Sequence, residues 1–345
     1  MRSEAAERGT PAESPAGGPD PCELDLAIGG QAVLEGVMMR SPNAIATAVR
    51  TPEQRIVIRK KPFRSVVRRL PFLNIPVLRG GVHLLETLGL GIDALMFSAD
   101  QAASEDRVVG KRQWSEALMM WGVIAFAFLL SLGLFFYLPL VLTDLLGVKH
   151  SVWFNLVDGL FRVIMFVLYL WGISRFPDMA RVFQYHGAEH KSIHAFENRR
   201  ELSVAGARPF TTLHPRCGTS FLFFVMLISL VVFVFLGRPE NVGQRLVRLA
   251  FVPVIGGLAY EAIKLSGRFK NAPWLRPFIW PGLMLQRITT REPEDGQLEV
   301  GLAALKAVLT PEADGFAEKT YYEMPAWKTD PAGGGDGGPQ ASESQ

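Results

Sequence analysis

Cysteine is almost missing from this chain of 345 residues. Only Cys22, in the leading segment, and Cys217, at the foot of an apolar run, are present. One bridge between them is conceivable, but a secreted scaffold held together by disulfides is excluded. No Gly-x-Ser-x-Gly elbow, phosphate-binding loop or dinucleotide fingerprint occurs, which removes the commonest hydrolase, nucleotide and hydride-transfer classes. Charge of one sign is also scarce. The net charge is +3, and the basic residues collect at the ends of apolar segments rather than in a block that would bind nucleic acid. Residues 1–23 lack an apolar core and read as a disordered tail, not a signal peptide.

What the chain has in quantity is apolar sequence, concentrated between residues 117 and 263. Segments 117–139, 152–173 and 217–237 are each long enough to cross about 30 Å of hydrocarbon. A fourth, 246–265, carries Arg248, Pro253, Glu261 and Lys264 and spans only if those residues face protein or a cavity. The fold class expected is therefore an all-α polytopic membrane protein with about four transmembrane helices. A small N-terminal β-hairpin and amphipathic or re-entrant helices complete it.

The domain plan has five parts. Residues 1–26 form the tail, and 27–62 a cytoplasmic hairpin region, with alternating runs at 44–50 and 54–60 around Thr51-Pro52-Glu53. Residues 63–112 form amphipathic helices, including a glycine-marked helix at 77–99 whose apolar side lies on the bilayer or packs against the bundle. The membrane domain is 113–295, with a polar loop at 174–216 and a proline-broken, interfacial or re-entrant segment at 273–288. A short amphipathic helix, Leu298 to Leu309, then precedes a linker-like tail whose Tyr321–Trp327 patch is suited to docking. Arg107, Lys111 and Arg112 precede the first span and seven basic residues follow the second, so both ends and the 174–216 loop are expected in the cytoplasm of a cell.

Chemistry concentrates in residues 186–197, where three of six histidines and two glutamates fall. On a helix His186 and His190 are one turn apart, with His194 at the margin of their side. His186-x-x-Glu189-His190 matches the inverted zinc-peptidase pattern, in which two histidines hold a metal and the glutamate works on water. The bland alternative is a charged helix on a solvated surface. Glu261 is a candidate third ligand, against a plain pairing with Lys264. His214 and Cys217, at x₂ spacing, are candidates to close a tetrahedral site. Four ligands would make a structural site and three an open, catalytic one. Arg40 and Lys191 are candidates to stabilise an oxyanion, and Glu35 with Arg40 either pair structurally or line a pocket.

Gly29 to Arg40 (GGQAVLEGVMMR), Tyr185 to Lys191 (YHGAEHK), His214 to Ser220 (HPRCGTS) and Pro281 to Gln286 (PGLMLQ) are four further marked segments. Together they resemble the bacterial YqhQ-like family of membrane proteins, a family of unknown function whose members are described as predicted metal-dependent enzymes. The resemblance covers about residues 27–295 and implies a metal, with no substrate attached. The expectation is thus a membrane-embedded enzyme using a divalent ion, zinc before others. Its most concrete form is a hydrolase or peptidase with Glu189 as base, acting on a membrane-associated protein or peptide beside membrane lipid. Two rivals stand: a non-catalytic scaffold with a structural metal or polar network, and a transporter, if Asp158 and Arg162 face a water-filled path rather than pairing across one turn.

Overall fold

The structure, a computed structural model, describes residues 28–102, 114–268, 276–310 and 320–324. The expected tails, Cys22 and the basic residues 107–112 lie outside the described residues. Strands are β1 (Gly29–Val33), β2 (Gly36–Arg40), β3 (Ala44–Arg50), β4 (Ile56–Pro62) and β5 (Thr320–Met324). Helices in the first half are α1 (Val66–Arg69), α2 (Leu78–Ala102), α3 (Trp114–Leu132), α4 (Leu138–Leu145) and α5 (Ser151–Ile173). The second half adds α6 (Pro177–Glu197), α7 (Val204–Ala207), α8 (Gly218–Leu236), α9 (Val242–Ala250), α10 (Val252–Arg268), α11 (Arg276–Thr289) and α12 (Asp295–Leu309).

Among the described residues five helical stretches are long and apolar enough to cross a membrane: Leu78–Ala102, Trp121–Leu145, Ser151–Ile173, Gly218–Leu236 and Val242–Leu265. Four coincide with the expected segments, and α2 is the addition. One π-helical turn, Gly133–Tyr137, joins α3 to α4 without breaking the run. Asp158 and Arg162 do pair across a turn of α5 at 3.0 Å, both buried, with Arg162 also donating to Ser229 on α8.

The expected hairpin is part of a larger sheet. β1 to β5 form an antiparallel meander in chain order, so the tail segment at 320–324 returns to extend the edge at β4. The β1–β2 turn puts Glu35 at φ 51, an uncommon conformation for a residue with a Cβ. Its carboxylate is clamped by the Arg181 guanidinium and by Tyr185 Oη at 3.2 Å. Glu35 and Arg40 therefore do not pair with each other.

Both sheet faces are covered, which is why β3 is buried almost throughout instead of alternating. Val37, Met39, Ala46, Ala48 and Ile58 pack on Tyr185 and Ile193 of α6 and on Val300, Ala304 and Val308 of α12. Val33, Met38, Ile45 and Val49 pack on Ala94 and Phe97 of α2. The Leu298 to Leu309 segment, expected to be amphipathic, is instead buried nearly all round, because the sheet covers one side and α6 the other. Gly301 lets α12 approach α6, since a Cβ there would lie 2.9 Å from Ser192 Oγ. Segment 273–288 contributes α11, whose described residues begin at Arg276 and run through Pro281.

Candidate metal centre

Pro177 at the first turn and Asp178 beside it start α6, which then runs unbroken through the polar stretch. The His186 and His190 rings leave one face with centroids 4.4 Å apart. Opposite them stands Cys217, the residue that caps the N-terminus of α8. One ligand atom from each of His186, His190 and Cys217 lies within 4.8 Å of the other two. His186 Nε2 is 3.1 Å from Cys217 Sγ, against about 3.6 Å for a nitrogen and a sulfur on one tetrahedral zinc.

The backbone sets the tautomers. His186 Nδ1 lies 2.8 Å from the Thr289 carbonyl oxygen, and His190 Nδ1 bonds the Thr212 carbonyl oxygen. A carbonyl only accepts, so each Nδ1 carries the proton and each Nε2 turns a lone pair inward. Metal-ligating histidines are generally held this way by their outer shell. His190 Nε2 is buried with no hydrogen-bond partner.

At His190 electrostatics agree with this tautomer. Burial lowers the His190 pKa below its ordinary value, keeping the imidazole neutral. Burial pushes the Cys217 thiol up, while its contacts with Thr219 pull it down. The Thr219 hydroxyl is 3.2 Å and its amide nitrogen 3.5 Å from Sγ, at a helix N-terminus where a thiolate is favoured. Two imidazole nitrogens aimed inward and a thiol at a helix N-terminus are a donor set suited to a divalent ion.

Glu189 is buried beside this triad, and its Oε2 has no hydrogen-bond partner. Burial drives its carboxyl up to about 7, helped by Cys217 and opposed by His186 and by the Gly30 amide that donates to it. Gly30 is required there: a Cβ would sit 2.4 Å from the Met38 carbonyl oxygen and 3.2 Å from Glu189 Cγ.

The remaining sequence candidates separate from the triad. His194, Glu197 and His214 converge as a second group, also within 4.8 Å of one another. There His194 Nε2 donates to the Leu213 carbonyl at 2.9 Å. Glu197 takes His214 Nε2 at 3.2 Å and the Arg216 guanidinium as well. With its carboxylate already neutralised, this group is a clasp on the 211–217 loop. Gln286 completes the clasp, bonding the His214 backbone amide and carbonyl at 2.7 Å each.

Glu261 is not brought to the His186–His190 pair. Its carboxylate is bound by Arg79 Nε and Nη2 at 2.6 and 2.5 Å, and the residue grouped with His186 and His190 is Cys217. Lys191 is tied to the Arg208 carbonyl at 2.8 Å and to Glu292. Arg40 stacks over Phe63 and faces Glu86 and Thr87 of α2. Neither cation reaches the triad. The Thr212 and Thr289 carbonyls were not anticipated, whereas Gly30 and Gln286 lie in two of the motifs that carry the resemblance but had no role attached.

Residues 75–311 match the model of a protein family described as a protein of unknown function, DUF1385. The uncharacterized protein YqhQ of Bacillus subtilis (strain 168) is 32% identical over a 306-residue alignment that covers 83% of this chain and 93% of that protein. No solved structure gives a significant match. The site-bearing helices all fall within the matched region, and the chain belongs to the DUF1385 family of proteins of unknown function.

Proposed function

We propose that this is a multi-pass membrane protein of the cell membrane with a zinc-dependent hydrolase site on its cytoplasmic side. The observation that carries the proposal is the convergence of His186 Nε2, His190 Nε2 and Cys217 Sγ with both imidazole lone pairs turned inward by backbone carbonyls. Three protein ligands of this N/S type fit zinc and leave one coordination position over, the pattern of catalytic rather than structural sites. Zinc, when held there, supplies Lewis acidity that activates water and polarises a carbonyl.

The chain's own part is holding and proton transfer. His186, His190 and Cys217 hold the ion. Glu189, with a carboxyl near 7, exchanges a proton at neutral pH and so suits a general base that later returns the proton to a leaving group. Arg175, Arg181, Arg199, Arg200, Arg208 and Arg216 flank the site sequence, which supports a cytoplasmic face. The substrate class that suits such a site is a peptide or other acyl bond presented at the membrane.

A scaffold with a structural metal is favoured by one feature, the depth of the site, with His190 at 1% and Glu189 at 4% exposure. Metal content of detergent-purified protein separates the readings. One zinc per chain, lost in His186→Ala and retained in Glu189→Gln, supports the open site with Glu189 available for chemistry. Loss in Glu189→Gln as well makes Glu189 a fourth ligand and the site structural. No zinc, and none regained on addition, overturns both.

A further inference from the structure

The sheet and α6 share one dry core, with Val37, Met39 and Ile58 against Tyr185 and Ile193. Two elements packed this way lie on the same side of a bilayer, so an even number of crossings separates them. Three apolar stretches intervene, however: α2, the α3–α4 run and α5. They cannot all cross.

α2 is the one that does not. It is the least apolar of the five stretches. Its Leu90, Ala94 and Phe97 pack on the sheet, and its Asp93 is bound by Arg59 at 2.7 Å and Lys61 at 2.8 Å, both from β4. Arg40 of β2 already reaches Glu86 and Thr87, so only the part from Leu78 to Leu85 lies clear of the sheet. Those eight residues rise about 12 Å, far short of the ~30 Å hydrocarbon thickness. Near its start, Gly80 sits against Gly257, and Arg79 reaches Glu261 of α10.

The outer side of this region is apolar and uncovered. Leu85 is 70% and Leu88 56% exposed, and in the turn before α2 Phe72 is 67% and Ile75 58% exposed. The same region is basic in sequence, and Asp93 and Glu261 from outside it pair with Arg59, Lys61 and Arg79. Residues 54–85 hold Arg55, Arg59, Lys60, Lys61, Arg64, Arg68, Arg69 and Arg79 and no Asp or Glu, and Arg64, Arg68 and Arg69 are exposed. Apolar side chains beside clustered arginines on a segment continuous with a membrane domain match one surface, an anionic lipid leaflet.

We propose that residues 64–88 dock on the anionic phospholipids of the leaflet facing the candidate site, with Phe72 and Ile75 inserted among the acyl chains and Arg64, Arg68 and Arg69 at the phosphates. α2 then lies in the interface, the chain crosses four times, and the sheet is held against the membrane surface. This rests on the membrane reading and not on the metal.

The test uses the full chain with Cys22→Ser, reconstituted in nanodiscs of phosphatidylcholine alone or mixed with phosphatidylglycerol. An environment-sensitive fluorophore on Phe72→Cys should shift to the blue and be quenched by doxyl-labelled lipid, more so with phosphatidylglycerol. Arg64→Gln, Arg68→Gln and Arg69→Gln together should remove the phosphatidylglycerol gain, at roughly fivefold in the docking equilibrium per arginine. In proteoliposomes, Arg64→Cys and Ala102→Cys should react with a membrane-impermeant thiol reagent from the same face. Labelling from opposite faces overturns the proposal, as does water-like emission indifferent to lipid. A blue shift that needs two copies per disc and ignores phosphatidylglycerol makes the surface a dimer contact and overturns it too.

Discussion

Replacing Glu189 with Gln in metal-stripped protein should make the protein more stable above neutral pH, although a charged group is being removed. The carboxyl is 4% exposed, and its Oε2 meets no hydrogen-bond partner. Burial raises its pKa from 4.5 to about 7. The unfolded chain therefore ionises first. Between pH 4.5 and about 7 the unfolded state binds fewer protons than the folded one, so stability falls as pH rises and levels off above 7. The gap of about 2.5 units corresponds to about 3 kcal/mol at full development. Gln does not titrate and resembles the protonated acid in shape. Wild type and variant should match near pH 4.5, and the variant should gain about 3 kcal/mol by pH 8, or roughly 6–12 °C in Tm for a domain of this size. Thermal unfolding in detergent with chelator, followed at several pH values, reads this directly. Adding zinc should shrink the difference, because a cation beside the carboxylate offsets its desolvation. Parallel curves from pH 4.5 to 8 would refute the assignment of Glu189 as a buried acid.

Gly187→Ala should lower Tm and weaken zinc binding together, because its Cβ would fall 2.0 Å from the Arg291 carbonyl oxygen and displace the strand of chain that carries Thr289. A cost of about 1–3 kcal/mol is expected from such overpacking, and unchanged zinc affinity would separate the two effects. Asp158→Asn should cost about 3–5 kcal/mol by leaving Arg162 buried without its carboxylate, whereas Asp158→Leu with Arg162→Leu should cost much less. Unfolding of the single and double variants measures the coupling, and additive losses would show that the pair does not act as a unit.

How far the sequence could be read depended on whether partners shared one element. His186 and His190 were legible because helical periodicity alone sets their geometry, and the 44–60 alternation announced β3 and β4 for the same reason. Cys217 lies 31 residues from His186 and could be offered only as one ligand among several. His214, the other member of that x₂ pair, bonds Glu197 through Nε2 and accepts from the Arg216 backbone amide at Nδ1 instead. The α12 segment read as amphipathic because periodicity cannot show that a second surface covers its polar-looking side. Its small residues Ala303, Ala304 and Ala307 were the overlooked sign of close packing.

Glu261 shows the same limit from the other direction. An ionisable residue in an apolar helix draws attention because its burial is costly. That cost is met equally well by a metal or by an opposite charge from elsewhere in the chain. Arg79, 182 residues away, meets it here with two hydrogen bonds. The carboxylate at Glu189 differs because, among the described residues, no guanidinium or ammonium is bonded to it. One backbone amide donates to it, and one oxygen has no hydrogen-bond partner. Of the two conspicuous glutamates, the one whose charge is already neutralised holds helices together. The one left under-satisfied, against a thiol and two inward-facing imidazole nitrogens, is where chemistry has room to occur.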